Sequence, residues 1–182
     1  MENNCIFFVT GNKNKLLEAK NILNKEIESI NIDLKEIQSV DVREVIENKV
    51  KEAYDKVKKP VLVEDTALEF ESLNGLPGAL IKWFLDKIGN EGLLKILSPF
   101  ENKKACAITC VAYFDGKNLI IEEGKLNGSI SNNVIGENGF GWDSIFIPEN
   151  QTKTLAEMTS EEKNSISMRK IAFEKIAKSL NF

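Results

Sequence analysis

Residues 61–84 read VLVEDTALEFESLNGLPGALIKWF, and the first five of them decide the fold. Val61-Leu62-Val63 is a run of apolar β-formers just after Pro60, the pattern of a short buried strand that follows a turn. Glu64 and Asp65 come directly after it. Burying unpaired charge is costly, so two adjacent carboxylates at the carboxyl end of a buried strand need a reason. Open α/β sheets place ligands at that end of their strands. Further on, Gly75 and Gly78 allow unusual backbone angles, Pro77 suits a first helical position, and Lys82 falls one turn into an apolar helix. One reading is a metal-binding or general-base pair with a cation nearby. The other is a solvated strand end and an ordinary surface lysine, and the segment alone leaves both open.

Toward the amino terminus, Ile6–Val9 reads as another buried strand. Thr10-Gly11-Asn12 is a turn, and Lys13–Leu23 a helix with Leu16, Leu17, Ala19 and Leu23 on its apolar side. A strand, a glycine turn and a helix start make a natural anion site, because free N–H groups and the positive dipole end face the ligand. Lys13 and Lys15 add positive charge where it is unfavourable for the helix itself, which points to an anionic ligand. The pattern is neither a P-loop nor G-x-G-x-x-G, and a plain strand-to-helix turn is the alternative. Ile30–Ile37 reads as a second strand with Glu36, by itself a solvated acid, near its end. Asp41 and Glu44 form a D-x-x-E capping box. The helix it opens carries Ile46, Val50, Ala53 and Val57 and ends before Pro60. Lys49 lies beside that stripe, where a surface lysine can snorkel.

Beyond the central stretch, the helix runs to about Lys87, Gly89 ends it, and Glu91–Leu97 forms another short one. Ala105–Phe114 is a long strand, Asp115-Gly116 a hairpin turn, and Leu119–Glu123 the return. Lys125–Ile135 reads as one more strand pair, so the sheet is mixed. In ENGFGWDSIFIP (137–148), Phe140 and Trp142 beside two glycines offer a stacking surface for a flat ring, and Asp143 an acceptor for a base edge; a turn with buried aromatics is the alternative. Thr159 and Glu162 form a T-x-x-E capping box for a helix running to about Leu180. Its core face carries Ile166, Phe173, Ile176, Ala177 and Leu180. At ~100° per residue, Met168 then points well away from that face, leaving Lys163, Met168 and Arg169 for a cleft or solvent.

The chain has 182 residues and a net charge of −4, with 42% hydrophobic and 29% charged residues. That length suits a single domain, 1–182, with a sizeable core. The acidic balance argues against a nucleic-acid partner. No apolar run reaches a membrane span, and MENNCIFFVTGN is not a signal peptide, which favours the cytosol. The three cysteines, Cys5, Cys106 and Cys110, form no C-x-x-C, so neither a disulfide framework nor a zinc site is expected. Cys106 and Cys110 fall on one face of a strand as small buried hydrophobes. Histidine is absent, which removes Ser-His and Cys-His nucleophiles and His-ligated metals. Carboxylates, lysines, arginine and a hard, oxygen-ligated metal remain.

Four separated motifs, TGNKNKLLEA (10–19), VEDTALEFESLNGLPGALIKWF (63–84), GFGWDSIF (139–146) and AEMTSEEKNSISMR (156–169), together resemble the inosine triphosphate pyrophosphatase family, the Ham1-like nucleoside-triphosphate pyrophosphatases. IKWF and FGWD place the resemblance nearest the eukaryotic-type members. The resemblance implies an α/β fold: an elongated mixed β-sheet flanked by helices, in two lobes with a central cleft, usually as a homodimer. It implies magnesium-dependent hydrolysis of ITP, dITP and XTP to monophosphate and pyrophosphate, with Mn2+ as a possible substitute. Residue by residue, Thr10, Gly11, Asn12 and Lys15, with Lys13 and Asn14 in the same string, resemble the triphosphate-binding turn. Glu64 matches a metal-binding carboxylate, Glu36 in EIQ a further metal ligand, and Asp65 the acid that activates water. Lys49 and Lys82 match substrate-binding lysines. Phe140, Gly141, Trp142 and Asp143 match the base-binding loop, and Lys163, Ser167 and Arg169 the last base-contacting motif. The family usually reads Ser-His-Arg there, whereas this chain reads Ser167-Met168-Arg169, so base choice is expected to rest on Arg169 and its surroundings. A Maf-like pyrophosphatase is the runner-up, against which FGWD and IKWF argue. An inactive nucleotide-binding protein would be marked by loss of Glu64 or Asp65, and both are present.

Overall fold

The computed structural model describes residues 6–23 and 27–181; Cys5 lies outside them. In chain order the elements are β1 (Phe7–Val9), α1 (Lys13–Leu23), β2 (Glu28–Ile30), α2 (Val42–Val57), β3 (Val61–Phe70), β4 (Pro77–Gly78), α3 (Ile81–Leu97), β5 (Lys104–Phe114), β6 (Leu119–Ile130), β7 (Phe146–Pro148), α4 (Ser160–Ile166) and α5 (Met168–Ser179). They form a mixed seven-stranded sheet in the order β2-β1-β3-β5-β6-β7, with β4 pairing β3 from the side. β1 runs parallel to both its neighbours, and the later pairings are antiparallel.

The long strands carry two bodies of core. At one end, Val61, Val63 and Ala112 pack under α2, while Phe8, Leu62 and Val111 pack under α1 and α5 on the opposite face. At the other end, Leu68, Phe70, Ala105 and Ala107 pack with α3, β7 and the segment around Leu155. These are the two lobes that the resemblance implies.

β3 differs from the sequence reading in a way that makes the cleft. It is ten residues long and continues through the two carboxylates. Its parallel partner β1 pairs with it only at Val61 and Leu62, and β4 joins only at Leu68 and Glu69. Between them one edge of β3 has no strand beside it, and Glu64 and Asp65 sit in that gap. They occupy the carboxyl end of β1, the ligand side of a parallel pair, rather than the end of their own strand.

Other expectations are revised. Residues 31–40 form a loop instead of strand, tied to α2 by Lys35 N–H donating to Glu52 (3.1 Å) and by Lys56 donating to the Asp33 carbonyl (2.5 Å). Asp41 caps α2 by accepting from Arg43 N–H. Glu44 instead accepts from the Ser39 hydroxyl (2.6 Å), which itself accepts from Asp41 N–H (3.1 Å), so a serine is interposed in the expected box. Pro77 lies in β4 rather than at a helix start. Gly78 has φ 60°, and a Cβ there would lie 2.3 Å from the Val40 carbonyl oxygen, so this close approach demands glycine. Gly89 breaks α3 with φ 63°, as the sequence indicates. Lys125–Ile135 is no strand pair, because β6 runs unbroken to Ile130. Cys110 is buried as expected, but Cys106 is half-buried. The expected long C-terminal helix is broken at Ser167, whose side chain caps α5. The turn of phase there carries Met168 inward.

Candidate active site

A cavity of about 860 Å³ lies where β3 is uncovered. The 10–15 turn and the start of α1 form one wall, with Lys49 and the 32–36 loop beside them. Glu64, Asp65 and Thr66 form the floor, and the start of α3 with Phe140–Trp142 forms the far wall.

The α1 end is built by Asn12. Its side-chain oxygen accepts from Asn14 N–H (2.9 Å) and Lys15 N–H (3.2 Å), and the Thr10 hydroxyl accepts from Asn12 N–H (3.1 Å). Two N–H groups expected to be free are therefore used in capping the helix. The dipole end and the lysines remain for an anion. Lys13 and Lys15 line the cavity, whereas Asn14 is exposed outside it.

Alternation along β3 sends the two acids to opposite faces of the sheet. Glu64 is buried and meets Arg169, whose Nε and Nη2 donate to its two oxygens at 3.1 and 3.0 Å. Lys15 adds an ion pair at 3.4 Å. Burial alone would raise this carboxyl, but Arg169 and Lys15 overcome it and hold it down at about 2. Asp65 accepts from Thr66 N–H (2.8 Å) and from Lys49 (3.0 Å). Lys49 also pairs with Glu36 at 2.5 Å. Burial opposes the charge on Lys49, yet Asp65 and Glu36 raise its pKa above the usual lysine value.

The far wall is closed from within. Asp143 is buried and accepts from Phe140 N–H (2.8 Å) and Lys163 (2.7 Å), so it closes its own loop rather than presenting a free acceptor to a base. Burial raises its carboxyl above the ordinary value, against the pull of Lys163. Lys163 and Arg169 lie 4.6 and 5.5 Å from the centre of the Phe140 ring, an arrangement its π face favours. Asn90 pins the loop by donating to the Gly141 carbonyl (2.9 Å) and the Ser144 hydroxyl (3.0 Å).

Of the expected residues, Thr10, Gly11, Asn12, Lys13, Lys15, Glu36, Lys49, Glu64, Asp65, Lys82, Phe140, Gly141 and Trp142 converge on the one cavity. Asp143, Lys163 and Arg169 stand directly behind it. Lys82 is 76% exposed and paired with Asp86 at 2.6 Å, away from the lysines of the opposite wall. Ser167 is a buried helix cap. Met168 is the correction: it faces neither cleft nor solvent but is 2% exposed in the core cluster that includes Trp142. β6 passes so close that a Cβ on Gly124 would lie 2.0 Å from the Met168 carbonyl oxygen.

Sequence reasoning missed Glu18. Its carboxylate accepts from Lys163 (2.8 Å) and from Arg169, joining α1 to the base-side cations. The signal was its place one turn beyond Lys15 in TGNKNKLLEA, on the same side of the helix.

Among the described residues, no three carboxylate or thiol groups converge as a metal cage. Magnesium needs no such cage, since it takes one or two carboxylates and completes its shell with phosphate and water. The hard oxygens of Glu64, Asp65 and Glu36, lining one cavity without thiol or imidazole, fit that chemistry.

Fold and cleft define a class: mixed α/β proteins whose long central strand carries acids into an interlobe cleft opposite a strand–helix turn. The chain belongs to the Ham1 family, whose model matches residues 6–179. It is 47% identical over 174 residues to the inosine triphosphate pyrophosphatase of Schizosaccharomyces pombe, covering 94% of this chain and 92% of that one. It is 42% identical over 188 residues to the enzyme of the same name from Saccharomyces cerevisiae, covering 95% and 94%. Among solved structures, the Staphylococcus aureus Ham1 protein superimposes with a TM-score of 0.85 at 26% identity, covering 97% of this chain and 98% of that one.

Proposed function

We propose that this protein hydrolyses the non-canonical purine nucleoside triphosphates ITP, dITP and XTP to the monophosphate and pyrophosphate, with Mg2+. The observation that carries the reading is the Glu64–Asp65 pair on the floor of a cleft walled by a lysine-bearing helix start and by the Phe140 loop. Glu64, with Glu36, would hold the metal, which supplies charge neutralisation and positions the phosphates when bound. Asp65 takes the proton from the attacking water. Lys15, paired with Glu64, and Lys49, paired with Glu36 and Asp65, line the cleft and would bind the phosphates. Keto purines present an acceptor at position six, where adenine presents a donor. Lys163 and Arg169 stand against the Phe140 ring and give the base-side wall a positive character, which favours the acceptor of ITP and XTP over the donor of ATP.

We place the protein in the cytosol as a homodimer with no nucleic-acid or membrane partner. No helix among the described residues is long and apolar enough to cross a membrane.

Pyrophosphate release from a panel of nucleoside triphosphates, with and without magnesium, tests the reading. Activity on ITP and XTP that vanishes in excess chelator is expected. Full activity in chelator would sink the metal assignment, and release only from pyrimidine nucleotides would favour a Maf-like specificity. In the same assay, Lys15→Ala is expected to raise KM by about tenfold for every base, since a phosphate contact carries no base information. A rise confined to inosine nucleotides would contradict that role.

A further inference from the structure

Trp83 is 58% exposed and lines the cleft from the first turn of α3. Ile81 is buried, and Phe84 and Leu85 pack against the core beneath. At about 100° per residue, the outward arc of this turn holds Lys82, Trp83 and Asp86. Lys82 and Asp86 satisfy each other at 2.6 Å, which leaves the indole as the large apolar surface of that arc. A single exposed hydrophobe is ordinary on a protein surface. This one stands at the cleft, on a turn joined to the base-side wall: a Cβ on Gly141 would lie 3.9 Å from Leu85 Cδ1.

We propose that Trp83 is a substrate-binding residue that packs its indole face on the sugar of the nucleotide, an inference resting on the pyrophosphatase reading above. The α1 turn and its lysines draw the phosphates to one wall, and Phe140 draws the base to the other. The group between phosphate and base is the pentose, whose C–H face suits an aromatic ring. Inorganic triphosphate carries the same kind of charge without the sugar and so serves as the internal control.

Calorimetric titration in magnesium of wild type, Trp83→Ala and Trp83→Phe with α,β-methylene-ITP and with inorganic triphosphate tests this. The alanine variant should bind the methylene analogue about tenfold more weakly, the worth of covering part of one indole face. The phenylalanine variant should recover most of that loss, and inorganic triphosphate should bind all three alike. Acrylamide quenching of tryptophan emission should fall when the analogue binds wild type, and that fall should be much smaller in Trp83→Phe, where only the largely buried Trp142 remains. Equal affinities, an equal loss for inorganic triphosphate, or unchanged quenching would overturn the proposal. So would a change in sedimentation with nucleotide affinity intact, which would assign Trp83 to an interface between copies. Failure of wild type to bind the analogue at all would overturn the function reading as well, a result distinct from tight binding that ignores Trp83.

Discussion

Asp65→Asn is expected to lower kcat by about a hundredfold to ten-thousandfold while nucleotide binding persists, the usual cost of losing a positioned general base. The carboxylate is held from two sides, by Thr66 N–H at 2.8 Å and Lys49 at 3.0 Å. An amide keeps the shape and one acceptor oxygen, so it can satisfy one of those donors, but it cannot take a proton from water. Single-turnover rates beside calorimetric affinity separate the two effects. Glu64→Gln should behave differently, weakening the metal requirement and activity together, because its oxygen charge is what a cation seeks. Near wild-type turnover by Asp65→Asn would remove Asp65 from the general-base role.

Arg169→Ala is expected to cost about 3–5 kcal/mol of folding stability, the range for leaving a buried charge without its partner. The Glu64 side chain is 0% exposed and takes two hydrogen bonds from Arg169. After the substitution, only Lys15 at 3.4 Å faces it among the described residues. Glu18 loses a partner too but keeps Lys163. Urea midpoints report the loss, and Glu64→Gln in the Arg169→Ala background should restore part of it by discharging the stranded carboxylate. A loss under about 1 kcal/mol would mean that Lys15 carries the pair alone, the scale of an exposed ion pair. The same substitution withdraws the guanidinium from the Phe140 ring. It should therefore erase most of the preference for ITP over ATP.

How far the sequence could be read follows from the range of each signal. Local signals carried well: Lys13–Leu23, Gly89 and the Thr159–Glu162 box all depend on neighbours within a turn of helix. Signals that depend on phase across a break failed. A wheel running through Ser167 turns Met168 toward the cleft, but the cap at Ser167 resets the phase and the side chain enters the core. Glu64 is buried and Asp65 partly so, and the setting of both depends on where β1 and β4 stop pairing, which no local pattern records. Spacing puts Glu18 on the Lys15 side of α1, but its part-buried links to Lys163 and Arg169 span 145 and 151 residues, beyond any local pattern. The composition did bound the chemistry, since a chain without histidine leaves the cleft to carboxylates, lysines and one arginine.

The most direct test of the central claim is the identity of the products from ITP in magnesium, followed by phosphorus-31 NMR. The account predicts inosine monophosphate and pyrophosphate in equal amounts, with ATP turned over far more slowly under the same conditions. Inosine diphosphate with orthophosphate, or equal turnover of ATP and ITP, would contradict it.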